Sequence, residues 1–213
     1  MRQEPWETGE AEARWLGYFI PGCQVLRNRV GATTREQLAD AENDLVEIRL
    51  AELRANLHVV RRTYDLDHLR ALHRVLFQDV YEWAGDIRSV GLEKGGESFC
   101  PPANIGQPVA HISEVIAESD RLRKIGDNDL PKKLSYLYDY INYAHPFREG
   151  NGRTQREFFD QLLAESERGI AWNLIDKIEL HGACHTARAE GDLTGLEALF
   201  SRILDDEPAY SYD

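Results

Sequence analysis

Apolar residues recur at helical spacing along most of the 213-residue chain. The clearest case runs from about residue 152 to 167, where apolar positions fall at i, i+1, i+4 and i+5. These positions are Phe158, Phe159, Leu162 and Leu163. Such spacing puts the side chains on one face of an amphipathic helix. The same test predicts helices over about 34–63, from 65 or 67 to 79, 105–123, 129–144, 171–190 and 193–204.

Two of these helices carry start signals. Thr34 precedes Gln37 by three residues, the spacing of a capping box in which side chains satisfy the first backbone N–H groups. Pro131 follows Asp129 closely, and proline is favoured in the first turn, where its missing N–H costs nothing. These signals therefore predict where the two helices begin.

One stretch, residues 87–99, changes period. Arg88, Val90 and Leu92 alternate with Ser89, Gly91 and Glu93, and Lys94-Gly95-Gly96-Glu97 follows as a turn. Alternation around a glycine-rich turn is typical of a β-hairpin. An irregular loop fits the pattern equally well, so the residues alone leave both open.

Composition narrows the class of protein. The formal net charge is −12, which makes the chain a poor non-specific binder of nucleic acid or of anionic membrane. No apolar run approaches the roughly 20 residues of a membrane span, and the first residues lack the apolar stretch of a signal peptide. The three cysteines, Cys23, Cys100 and Cys184, are few and far apart. We therefore expect a cytoplasmic protein without a disulfide framework.

The length suits a single domain with short extensions. Residues 1–30 mix charged residues with scattered aromatics and are expected to form a loose arm that docks through those aromatics. Residues 31–204 hold all the predicted helices and form the domain. Residues 205–213 are acidic and are expected to fray.

The run His145-Pro-Phe-Arg-Glu-Gly-Asn-Gly-Arg-Thr-Gln-Arg156 carries the chemistry. Its glycines allow a close backbone approach to an anion, and the unpaired N–H groups at the start of the following helix favour phosphate. Arg153 and Arg156 share a helix face and can reach one phosphate chain. Glu149 is a hard oxygen ligand suited to Mg²⁺, and His145 can accept a proton. A helix-capping Gly-Asn-Gly turn would explain the glycines alone, but not the complete run.

This run resembles the signature of the Fic family (filamentation induced by cAMP), His-x-Phe-x-(Asp or Glu)-Gly-Asn-Gly-Arg-x-x-Arg, at every specified position. The resemblance extends from about Asp67 to about Phe200. Within it, residues 76–85 are similar to the segment that precedes the family's active-site flap. The resemblance implies a mainly α fold, a bundle of about eight helices with a short β-hairpin flap over the active site. It also resolves residues 87–99 as that flap.

The resemblance further implies transfer of AMP from ATP to a hydroxyl group of a target protein. His145 would be the general base, and Glu149 would hold the Mg²⁺ that accompanies ATP. The nucleotide would be bound by the rest of the motif and by the flap tip. Those residues are Phe147, Gly150, Asn151, Gly152, Arg153 and Arg156, together with Lys94 and Gly95.

Gly152 bears on the direction of the reaction. In one branch of the family a lysine here accompanies inverted nucleotide placement and phosphate transfer. The glycine therefore favours transfer of AMP over transfer of phosphate.

The partners are also implied by the resemblance. The target protein would dock on the flap, residues 87–99, as an added strand. A small antitoxin would supply a glutamate to Arg156 and silence the enzyme, and the ATPase subunits of DNA gyrase and topoisomerase IV are the expected targets. The chain's own match to the family's inhibitory pattern, Thr186 to Gly191 with Glu190, lies inside the core helices. Glu42-Asn43 fails the pattern because Leu38 stands where Ser or Thr is required.

Two other functions remain open at this point. One is a secreted effector that modifies a host GTPase, and the other is a nucleotide-binding scaffold with a silent site. The intact motif argues against the scaffold, and the lack of an evident secretion appendage argues against the effector.

Overall fold

The computed structural model describes residues 4–56, 58–205 and 207–210. This part of the chain forms eight α-helices and two small antiparallel sheets, which confirms the predicted mainly helical fold. The helices are α1 Ala11–Gly17, α2 Arg35–Ala55, α3 Leu66–Phe77, α4 Gly106–Glu118, α5 Leu130–Ala144, α6 Asn151–Ala164, α7 Lys177–Glu190 and α8 Thr194–Ile203. The strands are β1 Glu93–Lys94, β2 Glu97–Ser98, β3 Gly169–Ile170 and β4 Leu204–Asp205.

Helix α6 lies at the centre of the bundle. Its four apolar residues, Phe158, Phe159, Leu162 and Leu163, are completely buried. They pack between α3 and α5, whose own apolar stripes are equally buried. Burying side chains of this size stabilises the fold by about 1.5–3 kcal/mol each. None of the described helices is both long and apolar enough to cross a bilayer.

The polar side of α6 is buried as well, which the amphipathic pattern did not predict. Arg54 at the end of α2 donates to Glu157 at 3.2 Å and to Asp160 at 2.9 Å. The indole N–H of Trp172 donates to the other oxygen of Asp160 at 2.6 Å. The acidic side chains are therefore enclosed because other elements supply their partners, and α6 is held on all sides.

Two predicted helices end earlier than their apolar patterns suggest. The capping box of Thr34 and Gln37 starts α2 as predicted, but the helix stops at Ala55 rather than near 63. There the chain turns inward and buries Val60 and Tyr64. The helix predicted over 105–123 ends at Glu118, because the three residues 120–122 adopt left-handed backbone angles. That turn buries Leu122 completely.

The helix predicted over 171–190 begins only at Lys177. Strand β3 at Gly169–Ile170 comes just before the predicted start, and within the predicted helix Trp172–Leu174 form a 3₁₀ turn. Asp176 then caps α7 by accepting from the backbone N–H of Ile178 at 2.6 Å. Apolar spacing alone does not distinguish a 3₁₀ turn from the first turn of an α-helix, so the predicted start of this helix was too early.

The predicted hairpin is present but short. Its strands β1 and β2 are two residues each, paired Glu93 with Ser98 and Lys94 with Glu97. The turn residues Gly95 and Gly96 have φ values of 63° and 81°, the pair of left-handed conformations that a type I′ turn requires. Residues 87–92 are not a strand, so only the tip of the predicted 87–99 hairpin is a ladder.

Both chain ends are more ordered than expected. The described part of the N-terminal arm, from residue 4, includes α1 and buries Trp6 and Tyr18 against Trp83, so it is not loose. The tail was expected to fray over 205–213. Instead β4 pairs with β3, and Tyr210 is buried. Residues 1–3, 206 and 211–213 of these two predicted segments lie outside the described residues.

Candidate active site

A cavity of about 860 Å³ lies where the motif loop, residues 145–150, meets the start of α6, the flap tip and helices α2 and α7. Nine of the ten predicted site residues lie on its wall. They are Lys94, Gly95, His145, Glu149, Gly150, Asn151, Gly152, Arg153 and Arg156. The exception is Phe147, which is completely buried beneath the motif loop and does not line the cavity.

The motif loop is held in shape from within. The Asn151 side chain accepts from the backbone N–H of Phe147 at 2.9 Å and donates to its carbonyl at 2.7 Å. Gly150 has φ of 82°, and a Cβ there would lie 2.4 Å from the Phe77 ring. Only glycine fits this position. Asn151 was predicted to join the anion cradle, but its side chain is occupied in closing the loop.

His145 occupies the C-terminal end of α5 in an unusual backbone conformation. Its φ of 41° is left-handed, a strained state for a non-glycine residue that concentrates at functional sites. Its ring stacks on Phe99 with centroids 3.8 Å apart. Burial, with the positive charge of Arg88 adding to it, lowers the pKa of His145 to about 3. The imidazole is therefore neutral near pH 7.

The N-terminus of α6 faces the cavity and provides the anion site. The cap residue is Gly150, and no side chain caps the first N–H groups. The first turn carries no acidic residue, so the positive end of the helix dipole is not neutralised. Arg153 and Arg156 follow on the same face, as their spacing predicted.

The two arginines differ in their surroundings. Arg153 pairs with Glu42 of α2, and its guanidinium lies 4.9 Å from the centre of the Phe77 ring. Glu42 is buried and also accepts from the Tyr81 hydroxyl. Arg156 makes no hydrogen bond or ion pair with another described residue. The sequence around Glu42 does not match the inhibitory pattern, in which a glutamate pairs with Arg156. In the structure Glu42 pairs with Arg153 instead.

Glu149 is exposed at the mouth of the cavity. No group of three or more potential metal-ligating side chains occurs among the described residues. A nucleotide-associated Mg²⁺ takes only one or two carboxylates, because phosphates and water complete its shell. Glu149 fits that requirement.

His73 is a part of the site that the sequence did not reveal. It is completely buried and stacks on Phe147 with centroids 3.9 Å apart. Its Nδ1 accepts from the backbone N–H of Gly85 at 2.8 Å, so the proton sits on Nε2, which donates to the carbonyl of Glu149 at 2.9 Å. The ring thus fixes the loop that carries Glu149. The spacing of the histidines gave no signal of this role, since both partners are backbone groups distant in sequence.

The flap tip is tied to α7 by side chains. Glu97 accepts from Arg188 at 2.8 Å and lies 2.9 Å from Nδ1 of His185. Arg188 in turn lies 4.7 Å from the centre of the Phe99 ring, the ring on which His145 stacks. Glu190, the glutamate of the inhibitory pattern, is exposed at the end of α7. No hydrogen bond or ion pair among the described residues joins it to Arg156.

The N-terminal segment also reaches the motif. The guanidinium of Arg148 lies 4.4 Å from the centre of the Trp15 ring and within 6 Å of the rings of Tyr18 and Phe19. Cation–π contacts at a desolvated site contribute about 2 kcal/mol. The aromatic arm therefore docks on the motif loop itself.

Comparison with known proteins agrees with this geometry. The Fic/DOC family model matches residues 63–163. The protein named probable protein adenylyltransferase Fic from Escherichia coli (strain K12) is 32% identical over 189 residues, which cover 89% of this chain and 92% of that protein. Protein adenylyltransferase VbhT from Bartonella schoenbuchensis is 34% identical over 163 residues, which cover 76% of this chain and 34% of that protein.

A solved structure shares the fold. The BepC protein of Bartonella tribocorum, a VirB-translocated effector with bound AMPPNP, superposes with a TM-score of 0.83 at 22% identity, over 91% of this chain and 97% of that one. At 22% identity this likeness concerns the fold alone. Taken with the motif geometry and with a relative 32% identical along nearly its whole length, it shows that the chain belongs to the Fic/DOC family.

Proposed function

We propose that this protein is an adenylyltransferase that moves AMP from ATP to a hydroxyl side chain of a target protein. One observation carries the proposal: a neutral histidine and an uncapped helix N-terminus with two arginines line the same cavity. Relatives over most of the chain are named protein adenylyltransferases, and that supports the same reaction here.

The triphosphate is assigned to the start of α6. The first residues of α6 line the cavity without a side-chain cap on their N–H groups, and Arg156 has no hydrogen-bond partner among the described residues. Arg153 approaches from the same face but shares its charge with Glu42. A separate part of the wall is aromatic and apolar and suits the nucleotide base; it is lined by Tyr138, Trp172, Leu180 and Cys184. Positioning and charge neutralisation supply most of the catalysis in reactions of this kind.

In the transfer, the target oxygen bonds to the α-phosphorus while the bond from that phosphorus to the oxygen bridging the β-phosphate breaks, and pyrophosphate leaves. His145 accepts the proton of the attacking hydroxyl group. Glu149 would hold Mg²⁺, which when bound neutralises charge on the phosphates.

Gly152 supports attack at the α-phosphorus rather than at the γ-phosphorus. A Cβ at this position would meet only the Arg156 side chain, at 3.9 Å, so the cavity stays open beside the helix N-terminus. The test uses purified protein with a bacterial lysate and ATP labelled at either the α- or the γ-phosphate. Label from the α-position on a protein band supports the proposal, whereas label only from the γ-position would show a kinase instead.

We also propose that the protein acts as a toxin on a bacterial target that docks on the flap, residues 87–99, and that an antitoxin glutamate reaching Arg156 restrains it. The guanidinium of Arg156, which pairs with no residue in the described ranges, and the exposed edge of the flap support this. Expression in bacteria should arrest growth, and mass spectrometry of the labelled band should identify the target. Gyrase and topoisomerase IV ATPase subunits are the first expectation. Unimpaired growth despite active enzyme would refute the toxin role alone.

A further inference from the structure

Arg88 is a buried cation that has no carboxylate partner among the described residues. Its side chain is 1% exposed, yet its bonds all go to backbone carbonyls. Nε donates to His145 at 2.7 Å and Nη1 to Val90 at 2.7 Å. Nη2 donates to Cys100 and to Ala144. A buried charge is costly unless its hydrogen bonds are satisfied, so these four bonds explain how it is tolerated.

The four carbonyls belong to two places in the fold. Val90 and Cys100 lie on either side of the β1–β2 hairpin, at the base of the flap. Ala144 and His145 end α5, where the last carbonyls lack helical partners and carry the negative end of the helix dipole. The guanidinium of Arg88 therefore joins both sides of the hairpin to His145, the proposed general base. The backbone N–H of Arg88 adds a bond of 2.9 Å to the carbonyl of Pro146.

We propose that Arg88 is a positioning residue that holds His145 in its left-handed conformation and couples it to the base of the flap. The strained backbone at His145 needs such external support, since a left-handed φ is unfavourable for any residue other than glycine. The kinetic part of this inference rests on the proposed function. The structural part does not, because it concerns the ring and the flap in the absence of substrate.

A purely structural role for Arg88 would predict something different. Three cations face His145: Arg88 from the flap base, Lys94 from the flap tip and Arg188 from α7. Burial lowers the pKa of His145 most, and Arg88 adds the largest charge effect. Removing that charge should therefore raise the pKa of His145 whether or not Arg88 positions the ring, so a purely structural role is distinguished by unchanged kcat and unchanged flap exchange in the folded variants.

The experiment compares Arg88→Met with Arg88→Lys in the full chain. Arg168→Met is the control, because Arg168 also donates to backbone carbonyls, those of Leu122 and Ile125, but lies outside the cavity. Each variant is measured for kcat and for the Kd of ATP, for the His145 ring titration by NMR, and for amide exchange in the flap. The His145 signal is assigned from its absence in His145→Ala.

For Arg88→Met we expect kcat to fall about 10–100-fold with less than about a threefold change in the Kd of ATP, the His145 pKa to rise, and the flap amides to exchange faster. Arg88→Lys keeps the charge but loses the fork, so kcat should fall while the His145 pKa stays near that of the wild type. If Arg88→Met does not fold, Arg88→Lys decides through the same measurements.

Wild-type values of kcat, His145 titration and flap exchange in the folded Arg88 variants would overturn the proposal. So would a loss in stability without any of these changes, which Arg168→Met could equally produce. An inactive wild-type protein would count against the proposed function instead. The NMR and exchange measurements would then still decide whether Arg88 couples His145 to the flap.

Discussion

The two sides of the cavity are built differently. On the motif side, Phe147 and His73 are completely buried. The side chains of Asn151 and His73 close the loop by hydrogen bonds to its backbone carbonyls. On the flap side, the strands are two residues long, and within the described part of the chain the tip is tied to α7 by partly exposed side chains such as Glu97 and Arg188.

The difference separates two tasks. Transfer chemistry needs reacting groups held within a fraction of an ångström, and buried bonds to backbone supply that precision. The docking edge proposed above for the flap would gain from adaptability, and partly exposed ion pairs are easier to rearrange than fully buried bonds to backbone. Substitutions on the motif side should therefore have large effects, and those at the flap tip small ones.

The largest effect is expected for His145→Ala. Loss of a positioned base should lower AMP transfer about 10²–10⁴-fold. The Kd of ATP should change little, because the phosphates are assigned to α6. His181→Ala is the control, since His181 lines the same cavity from α7 at an exposed position. Transfer of labelled AMP measures the rate, and calorimetry measures the Kd of ATP. If His145→Ala transferred AMP as fast as His181→Ala, His145 could not be the general base.

Next in size is Gly150→Ala, compared with Gly182→Ala. A Cβ at position 150 would overlap the Phe77 ring, and the alanine backbone would be held at a left-handed φ. The free energy of unfolding should therefore drop by roughly 2–4 kcal/mol. Gly182 lies in α7 with open space around its Cβ position, and alanine there should add up to about 1 kcal/mol. Urea denaturation measures both. Equal stability of the two variants would contradict the packed loop described above.

The buried acidic side chains of α6 also predict a pH dependence of stability. Burial raises the pKa of Glu157 to about 7, above its ordinary value of 4.5, and that of Asp160 to about 6. Both groups bind their protons more tightly in the folded protein than in the unfolded chain, so their contribution to stability is fully present below about pH 4 and is lost as the pH rises to about 7. Glu157→Gln should flatten this decline and gain up to about 3 kcal/mol at pH 8. Denaturation at pH 5 and pH 8 tests this, and a steeper decline in the variant would reverse the sign.

The sequence predicted one side of the cavity much better than the other features around it. The motif run carries its chemistry in adjacent positions, so His145, Glu149 and the two arginines were expected to share one site, and all four line the same cavity. Local signals also placed the start of α2 at Thr34 and the turn at Gly95. These features depend on neighbours within a few residues, which a sequence displays directly.

The supporting residues could not be predicted in the same way. His73 and Arg88 bond to backbone carbonyls 76 and 57 positions away, and any residue supplies a carbonyl. The aromatic arm was recognised as a docking element, but its partner Arg148 is a variable position of the motif. The early end of α4 depends on burying Leu122, a tertiary effect that overrides local helical spacing.

The smallest effect is expected at the flap tip. Glu97→Gln weakens the pairs with Arg188 and His185 and should speed amide exchange in the flap a fewfold, while AMP transfer changes less than about fivefold. Glu93→Gln, on the facing strand, is the control. Because exposed pairs are screened, 1 M salt should reduce the difference between the two variants. A loss of transfer at Glu97→Gln as large as at His145→Ala would mean that the flap tip positions the reacting groups too, and the contrast between a rigid side and an adaptable side would no longer hold.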